Sequence, residues 1–500
     1  MTLLLRTELV PQERVYFPIM VRAERERTDM NGQNKEMRNP DAACGRVQTA
    51  VSRRDFLSRT GMGLGVLALE AILQETAPVR ASAAGVNPLA AHSAPLPSKA
   101  KAVIHIFAGG APSHVDTFDP KPMLEKYRDQ SLPGSSGVAF PSPFKFEKHG
   151  RSGLEISELF PNLGGVADEM CVIRSLFTDV PAHGPASKMM NTGSLVLSKP
   201  SLGSWVLYGL GTENLNLPGF VALGGSADYR QAAFLPSLFQ GSRADFARNK
   251  PVNKVLLNLN NEFKNSQDAQ QLQLALAHKM DERQMQGVQR DEQLEARIQS
   301  FELAFHMQAA ATDAFDITKE PAAVQERYGK TDLGAKLLCA RRLVERGVRF
   351  VQIDAGGWDH HTNLHQSIQR TSTAIDQPAG ALIADLKERG LLDSTLIIWG
   401  GEFGRTPTTA GRVDENSGRD HHAGCFSVWM AGGGTRGGLA YGATDEIGMT
   451  VAENGVHVHD LHATILRLLG FDHTKLTYRY NGRDFRLTDN YGKIVDGVIA

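Results

Sequence analysis

Residues 356–365 read GGWDHHTNLH and residues 418–422 read GRDHH, so five of the chain's sixteen histidines fall in two short runs. In each run an aspartate stands directly before a His-His pair. A carboxylate oxygen beside imidazole nitrogens makes a mixed donor set. Borderline divalent ions such as zinc or manganese accept it, whereas calcium prefers oxygen alone. Asp359 with His361 is the first candidate pair, with His360 and His365 as alternates, and Asp420 with His421 and His422 is the second. A single run of this kind is better explained by a helix-capping aspartate and ordinary histidines. Two runs, each near a strand-like segment, point instead to one cation held between loops. The spacings of zinc fingers and of HExxH proteases are absent. Cys171, Cys339 and Cys425 are far apart and odd in number, so neither a disulfide framework nor a thiolate site is expected.

Three further positions belong with these runs. Glu402 closes the apolar run TLIIWGGEF and offers another carboxylate, either to the cation or to the neighbouring Arg405. Arg405 carries a guanidinium suited to a phosphate or sulfate oxyanion. His114 and Asp116 follow the first apolar run, AVIHIFA, in the loop APSHVDTFDPKP. His457, His459 and His462 sit in a helical packing pattern and are read as structural.

These residues need elements to hold them. AVIHIFA (102–108), MCVIRSL (170–176), PGFVAL (218–223), VRFVQI (348–353), TLIIWG (395–400) and FSVWMAGG (426–433) read as strands. Several are apolar without alternation, as in parallel strands covered on both faces. Helices are predicted over 157–168, from GPASKMMNTGS, around Leu333–Val344, around Ala379–Arg389 and over 457–470, the last closed by Gly470. Alternating strands and helices give an α/β, doubly wound, mostly parallel sheet, in which ligands collect at the carboxyl ends of strands. Residues 257–320, rich in Gln, Glu, Lys, Ala and Leu, read as a helical insertion on that domain, which spans 101–490.

The N-terminal part carries an address. SRRDFL (52–57), the apolar run Gly61–Leu73 and RASAAG together read as a twin-arginine export signal over 52–83, with cleavage near Ala83, Ala81 or Ala91. The apolar run is too short to span a bilayer. Residues 1–51 are polar and unpatterned, either disordered or preceding a later start at Met30 or Met37, and 84–100 is a Pro/Ala/Ser linker. With 54 basic and 55 acidic residues and a formal net charge of −1, no global field favours nucleic acid or an anionic membrane. The expectations are an exported, periplasmic or secreted protein, the export machinery as a partner, and no transmembrane segment after cleavage.

The motifs GGAPSHVDTFDPKP, NTG (191–193), GGWDHHTN, GGEFGRTP, GRDHH with GGGTRGG, and YNGRDFRLTD together resemble a Tat-exported domain-of-unknown-function family (DUF1501-type). That family is abundant in planctomycete-type bacteria and is placed in the alkaline phosphatase/sulfatase superfamily. The likeness covers nearly the whole chain after the signal. It implies a sheet of that superfamily's type and a metal-dependent hydrolase of phosphate or sulfate esters, with one or two divalent ions and a small or glycan anionic ester as substrate. The wider superfamily places a Ser, Thr or Cys nucleophile nine positions before the Thr of a Thr-Gly pair. Counting back from Thr192-Gly193, that position holds His183, with Pro185 two places on. Glu402-Phe403 stands where the superfamily has an Asp-His pair, and Gly109-Gly110 stands in place of its first-strand Asp, with Asp116 further on. These departures keep a second outcome open: a non-catalytic sulfatase-like protein that binds an anionic ligand or acts as a partner subunit.

Overall fold

The computed structural model describes residues 88–255, 272, 276, 279 and 311–500. The polar segment 1–51, the export signal 52–83, the start of the linker and most of the helical insertion at 257–320 lie outside the described residues.

The strands of the main sheet are β1 (Ala102–Phe107), β2 (Met170–Phe177), β3 (Phe220–Leu223), β4 (Ser242–Ala244), β5 (Phe350–Asp354), β6 (Thr395–Gly400), β9 (Phe426–Ala431), β10 (Leu439–Tyr441) and β11 (Val456–His457). Two-residue strands β7 (Gly404–Arg405) and β8 (His421–His422) pair antiparallel with each other outside it. Among the described residues the main sheet has nine strands, in the order β10-β2-β9-β6-β1-β5-β3-β4, with β11 also on β2. β1 lies at the middle, parallel to β5 and to β6, so that His105 stands opposite both Gln352 and Ile398. Every ladder is parallel except those of β9, which runs antiparallel to β2 and β6. The architecture is α/β with a mostly parallel sheet.

The apolar runs explain why the sheet is covered on both faces. All six residues of β1 are buried, as are all six of β6. Ile104, Ile106, Val351, Ile353, Ile397 and Trp399 pack with α4 (Asp332–Glu345) and α5 (Leu364–Glu388) on one face. Val103, Phe107, Phe350, Leu396 and Ile398 pack with α3 (Leu202–Leu210) and α6 (Val458–Leu468) on the other. Period-two alternation along each strand divides these residues between the two cores. The short helix α1 (His114–Thr117) follows β1, and α2 (His183–Thr192) follows β2.

Two predicted helices are corrected. Over 157–168 the chain forms the end of a strand (Leu154–Ser157) and a single helical turn (Pro161–Gly164). The predicted helix at 379–389 begins earlier, at Leu364, and α5 carries Pro378 in its interior. No helix among the described residues is long and apolar enough to cross a membrane.

Candidate metal centre

Four loops leave the carboxyl ends of β2, β1, β5 and β6, and they meet. The segment after β5 is anchored by Trp358, whose ring packs edge-on against Trp399 at 5.5 Å and whose indole donates to Ala355 O at 3.0 Å. That places Asp359 immediately after a buried anchor. Gly110, after β1, has φ +104°, and a Cβ there would lie 2.6 Å from Asp359 N and 2.8 Å from Trp358 N, so only glycine lets these loops touch. The two histidine-rich runs are clasped by backbone bonds: Asn363 N to Asn416 O at 3.0 Å, Leu364 N to Ser417 O at 3.0 Å, and Arg419 N to His360 O at 3.1 Å. A Cβ on Gly418 would meet the backbone of His361 at 2.1 Å.

The clasp brings imidazoles from three segments to one carboxylate. Asp359 Oδ1 lies 3.0 Å from His361 Nε2, 3.3 Å from His421 Nε2 and 3.3 Å from His183 Nε2. His361 Nε2 and His421 Nε2 are 2.9 Å apart. The ligand atoms of His183, Asp359 and His421 all lie within 4.8 Å of one another. Phe403 packs against the rings of His183 and His421, with centroids at 4.9 and 4.8 Å.

The outer nitrogens fix the tautomers. His183 Nδ1 donates to Glu402 Oε1 at 2.6 Å, His361 Nδ1 to Asp420 Oδ1 at 3.0 Å, and His421 Nδ1 to the Pro181 carbonyl at 2.9 Å. A carbonyl or carboxylate oxygen only accepts, so each Nδ1 carries a proton, and a ring with no second proton presents a bare Nε2 inward. His183 Nε2 is buried without a hydrogen-bond partner. Around a common ion about 2.1 Å from each ligand, tetrahedral neighbours sit ~3.4 Å apart, close to the spacing found here. Both the donor chemistry and the orphaned nitrogen fit a divalent cation.

Charge supports the same picture. Burial pushes the Asp359 carboxyl up, but the Arg405 hydrogen bond and charge, with His183 and His361, hold it well below the usual carboxylate range. The Glu402 hydrogen bond raises His183, while burial lowers His421. Arg405 has no donor to spare. Its Nε donates to Ala111 O at 3.1 Å. One terminal nitrogen bonds Arg419 O at 3.1 Å and faces His361 Nε2 at 3.3 Å, and the other bonds Gly110 O and Asp359.

Of the candidates read from sequence, His183, Asp359, His361, His421, Asp420, Glu402 and Arg405 are brought together, though not all as ligands. Glu402 and Asp420 hold the outer nitrogens of His183 and His361. Arg405, 1% exposed, clamps Asp359 and three backbone carbonyls, so the expected oxyanion clamp is corrected to a positioning role. His114, Asp116 and His422 are not in the cluster. Asp116 is fully buried in a two-bond pair with Arg419, at 2.7 and 3.0 Å. His114 Nε2 bonds Gly448 O at 2.9 Å, and His422 Nε2 bonds Met449 O at 2.7 Å. The alternates also turn away: His360 is buried, which lowers it to about 4, and His365 stacks on Phe144 at 5.2 Å. His457 caps α6, and the Nε2 atoms of His459 and His462 bond the carbonyls of Gly193 and Met190. Cys171, Cys339 and Cys425 are buried free thiols. Sequence reading missed Pro181, whose carbonyl orients His421, and Phe403, and neither residue type advertises that use.

A family model described as "Protein of unknown function (DUF1501)" matches residues 100–499. No curated protein matches the sequence. Among solved structures, the chain is similar to a PsFucS1 sulfatase from Pseudoalteromonas sp., at 14% identity over 74% of this chain and 68% of that one, with a TM-score of 0.34. It is also similar to an alkaline phosphatase from the Antarctic bacterium TAB5, at 10% identity over 74% and 98%, with a TM-score of 0.30. A 2-O GAG sulfatase aligns at 10% identity over 79% and 73%, with a TM-score of 0.30.

Proposed function

This chain belongs to the DUF1501 family, and from its histidine cluster we propose that it is an exported, metal-dependent hydrolase of phosphate or sulfate esters. One observation carries the reading: three imidazoles donate from Nδ1 to outer acceptors and turn their Nε2 atoms toward Asp359 Oδ1. Nε2 atoms 2.9 Å apart, as on His361 and His421, need a proton or a metal ion between them, and a divalent ion would serve all three rings at once.

His183, Asp359 and His421 would hold zinc or manganese, with His361 at the rim. Such an ion, when bound, polarises an ester oxygen and lowers the pKa of a coordinated water. The protein's own residues do the rest. Glu402, Asp420 and Pro181 O fix ring orientation, and Arg405 holds Asp359 in place while offsetting its charge. His361, 43% exposed on its side chain and backed by Asp420, lines the open side of the cluster, with its Nε2 3.3 Å from a terminal nitrogen of Arg405. Direct attack by His183 is disfavoured, since Glu402 holds one ring nitrogen and the other faces the ligand cluster. The twin-arginine pattern supports export through that machinery to a periplasmic or secreted location. The substrate is a small or glycan-borne anionic ester.

The second reading, a non-catalytic sulfatase-like protein, is favoured by the full engagement of Arg405, which leaves no free guanidinium donor to stabilise a reacting ester, so that an anionic ligand would rest on the cation alone. One experiment separates the two. Protein reconstituted with zinc or manganese is assayed on aryl phosphates and aryl sulfates, with metal content measured in parallel. Turnover that disappears together with the metal in His421→Ala and His183→Ala supports the hydrolase. A bound ion without turnover on any ester leaves the binding protein standing, and no bound ion removes both forms of the site.

A further inference from the structure

A second concavity has Asp179 in its wall. It encloses about 610 Å³ between the loop after α2 and the C-terminal stretch, and its walls include Leu197, Lys199, His457, His459 and Tyr491. Its charged groups already have partners in the wall. Lys199 Nζ pairs with Asp489 at 2.6 Å, and His457, whose Nδ1 accepts from His459 N, donates from Nε2 to Asp179 at 3.2 Å.

Two features ask for something else. His459 is 4% exposed, and its Nε2 donates to Gly193 O at 3.1 Å, so its Nδ1 is a bare acceptor, and that atom is buried without a partner. A buried acceptor of this kind is costly unless a donor reaches it. The His459 ring also lies parallel to Tyr491, with centroids 5.2 Å apart and planes at 5°. Tyr491 is nonetheless 65% exposed, and Val196 and Leu197 beside it are 78% and 61% exposed. The wall therefore combines an open aromatic and aliphatic surface with a neutral hydrogen-bond acceptor and two internally paired ions. A ring with C–H groups on its face and hydroxyls on its edge matches that combination; a bare phosphate or a fully apolar tail does not.

We propose that this cavity is a binding subsite for an uncharged, hydroxyl-bearing sugar ring of an extended substrate, with the ester group placed at the histidine cluster. Only the placement of the ester rests on the hydrolase reading. Asp179, on the cavity wall, is four residues from His183, a chain reach of at most ~14 Å. One oligosaccharide can therefore bridge the two places, and a monosaccharide ester uses only the first.

The test uses the full protein and a panel of neutral, ester-free oligosaccharides built on glucose, galactose, mannose, xylose and fucose backbones, with binding followed by saturation-transfer NMR and calorimetry. At least one member binds the wild-type protein. Tyr491→Ala and Leu197→Ser, both at exposed positions, weaken that binding tenfold or more, and His421→Ala leaves it within twofold. No binding across the panel overturns the subsite. So does binding that survives both cavity substitutions, or binding lost in His421→Ala, which would place the sugar at the histidine cluster. Aryl-ester turnover measured on the same variants scores the hydrolase reading separately.

Discussion

Replacing Glu402 by Gln tests whether the cluster is organised for a cation. Glu402 is 1% exposed on its side chain, and its Oε1 accepts from both His183 Nδ1 at 2.6 Å and Gly110 N at 3.0 Å. The amide keeps the shape, but its NH2 takes the place of Oε2, which lies 3.3 Å from Gly110 N, so a backbone donor then faces another donor. Loss of the charge on the acceptor removes about 1 kcal/mol, since a hydrogen bond to an ion is roughly twice as strong as a neutral one. The mismatched donor adds about another 1 kcal/mol. His183 is then no longer held with Nε2 inward. A loss of about 2 kcal/mol corresponds to about 30-fold in metal affinity, inside the 10–100-fold range typical of the groups behind metal-bound histidines. Zinc competition with a chelating dye at pH 7.5 measures it, and melting temperatures of the metal-free proteins control for folding. Asp420→Asn, behind the more exposed His361, is the graded comparison and costs less than tenfold. If Glu402→Gln binds zinc as tightly as the wild type while both fold alike, the assignment of Glu402 as the orienting group is wrong.

Gly418→Ala drives a methyl into the His361 backbone, parts the two histidine-rich runs, and lowers zinc affinity by tenfold or more in the same titration; unchanged affinity would show that the loops adjust freely. Asp116→Ala leaves the buried Arg419 without its carboxylate and costs about 3–5 kcal/mol in urea unfolding; a loss under about 1 kcal/mol would mean that water reaches Arg419. Burial holds His105 and His114 near 4, against 6.5 when unfolded. Between those values the unfolded chain binds protons that the folded one refuses, so stability falls as pH drops from about 6.5 to 4, by up to roughly 3 kcal/mol for each residue. Denaturant midpoints across that range check it, and His105→Asn flattens the slope.

The strands were legible because a buried parallel strand has little choice of composition. AVIHIF and TLIIWG have all six positions covered, and few polar residues survive there. What composition does not encode is direction. FSVWMA is as apolar as its neighbours, yet β9 runs antiparallel to both β2 and β6. Nothing in a short apolar run states which way it lies, because that is decided by connections elsewhere in the chain. The start of α5 is hard to place for a related reason. A proline inside a helix forfeits one backbone bond, but α5 is 25 residues long and buries Ile368, Ile375, Leu382 and Leu386 along one side, burial enough to override a local penalty.

The site was legible in its residue types and less so in its atoms. Asp-His-His names three donors, but a chain segment seldom turns consecutive side chains the same way. β8 is extended, so His421 and His422 leave it on opposite sides, one toward Asp359 and the other toward Met449 O. The run at 359–361 behaves likewise: Asp359 and His361 face the cluster while His360 between them is buried. Of two adjacent histidines, alternation lets only one reach a given point, so the doublets carry two ligand candidates, not four. The third imidazole, His183, comes from the start of α2, and it is tied to Glu402 across 219 residues of sequence. His114 and Asp116 mark the opposite limit. They too follow a central strand, but α1 turns both inward, where Arg419 takes the Asp116 carboxylate and Gly448 O takes His114 Nε2. Asp116 has both carboxylate oxygens taken by Arg419 and is fully buried, so it is out of reach of the cluster, and that match becomes visible only when the partner, 303 residues away, is in place.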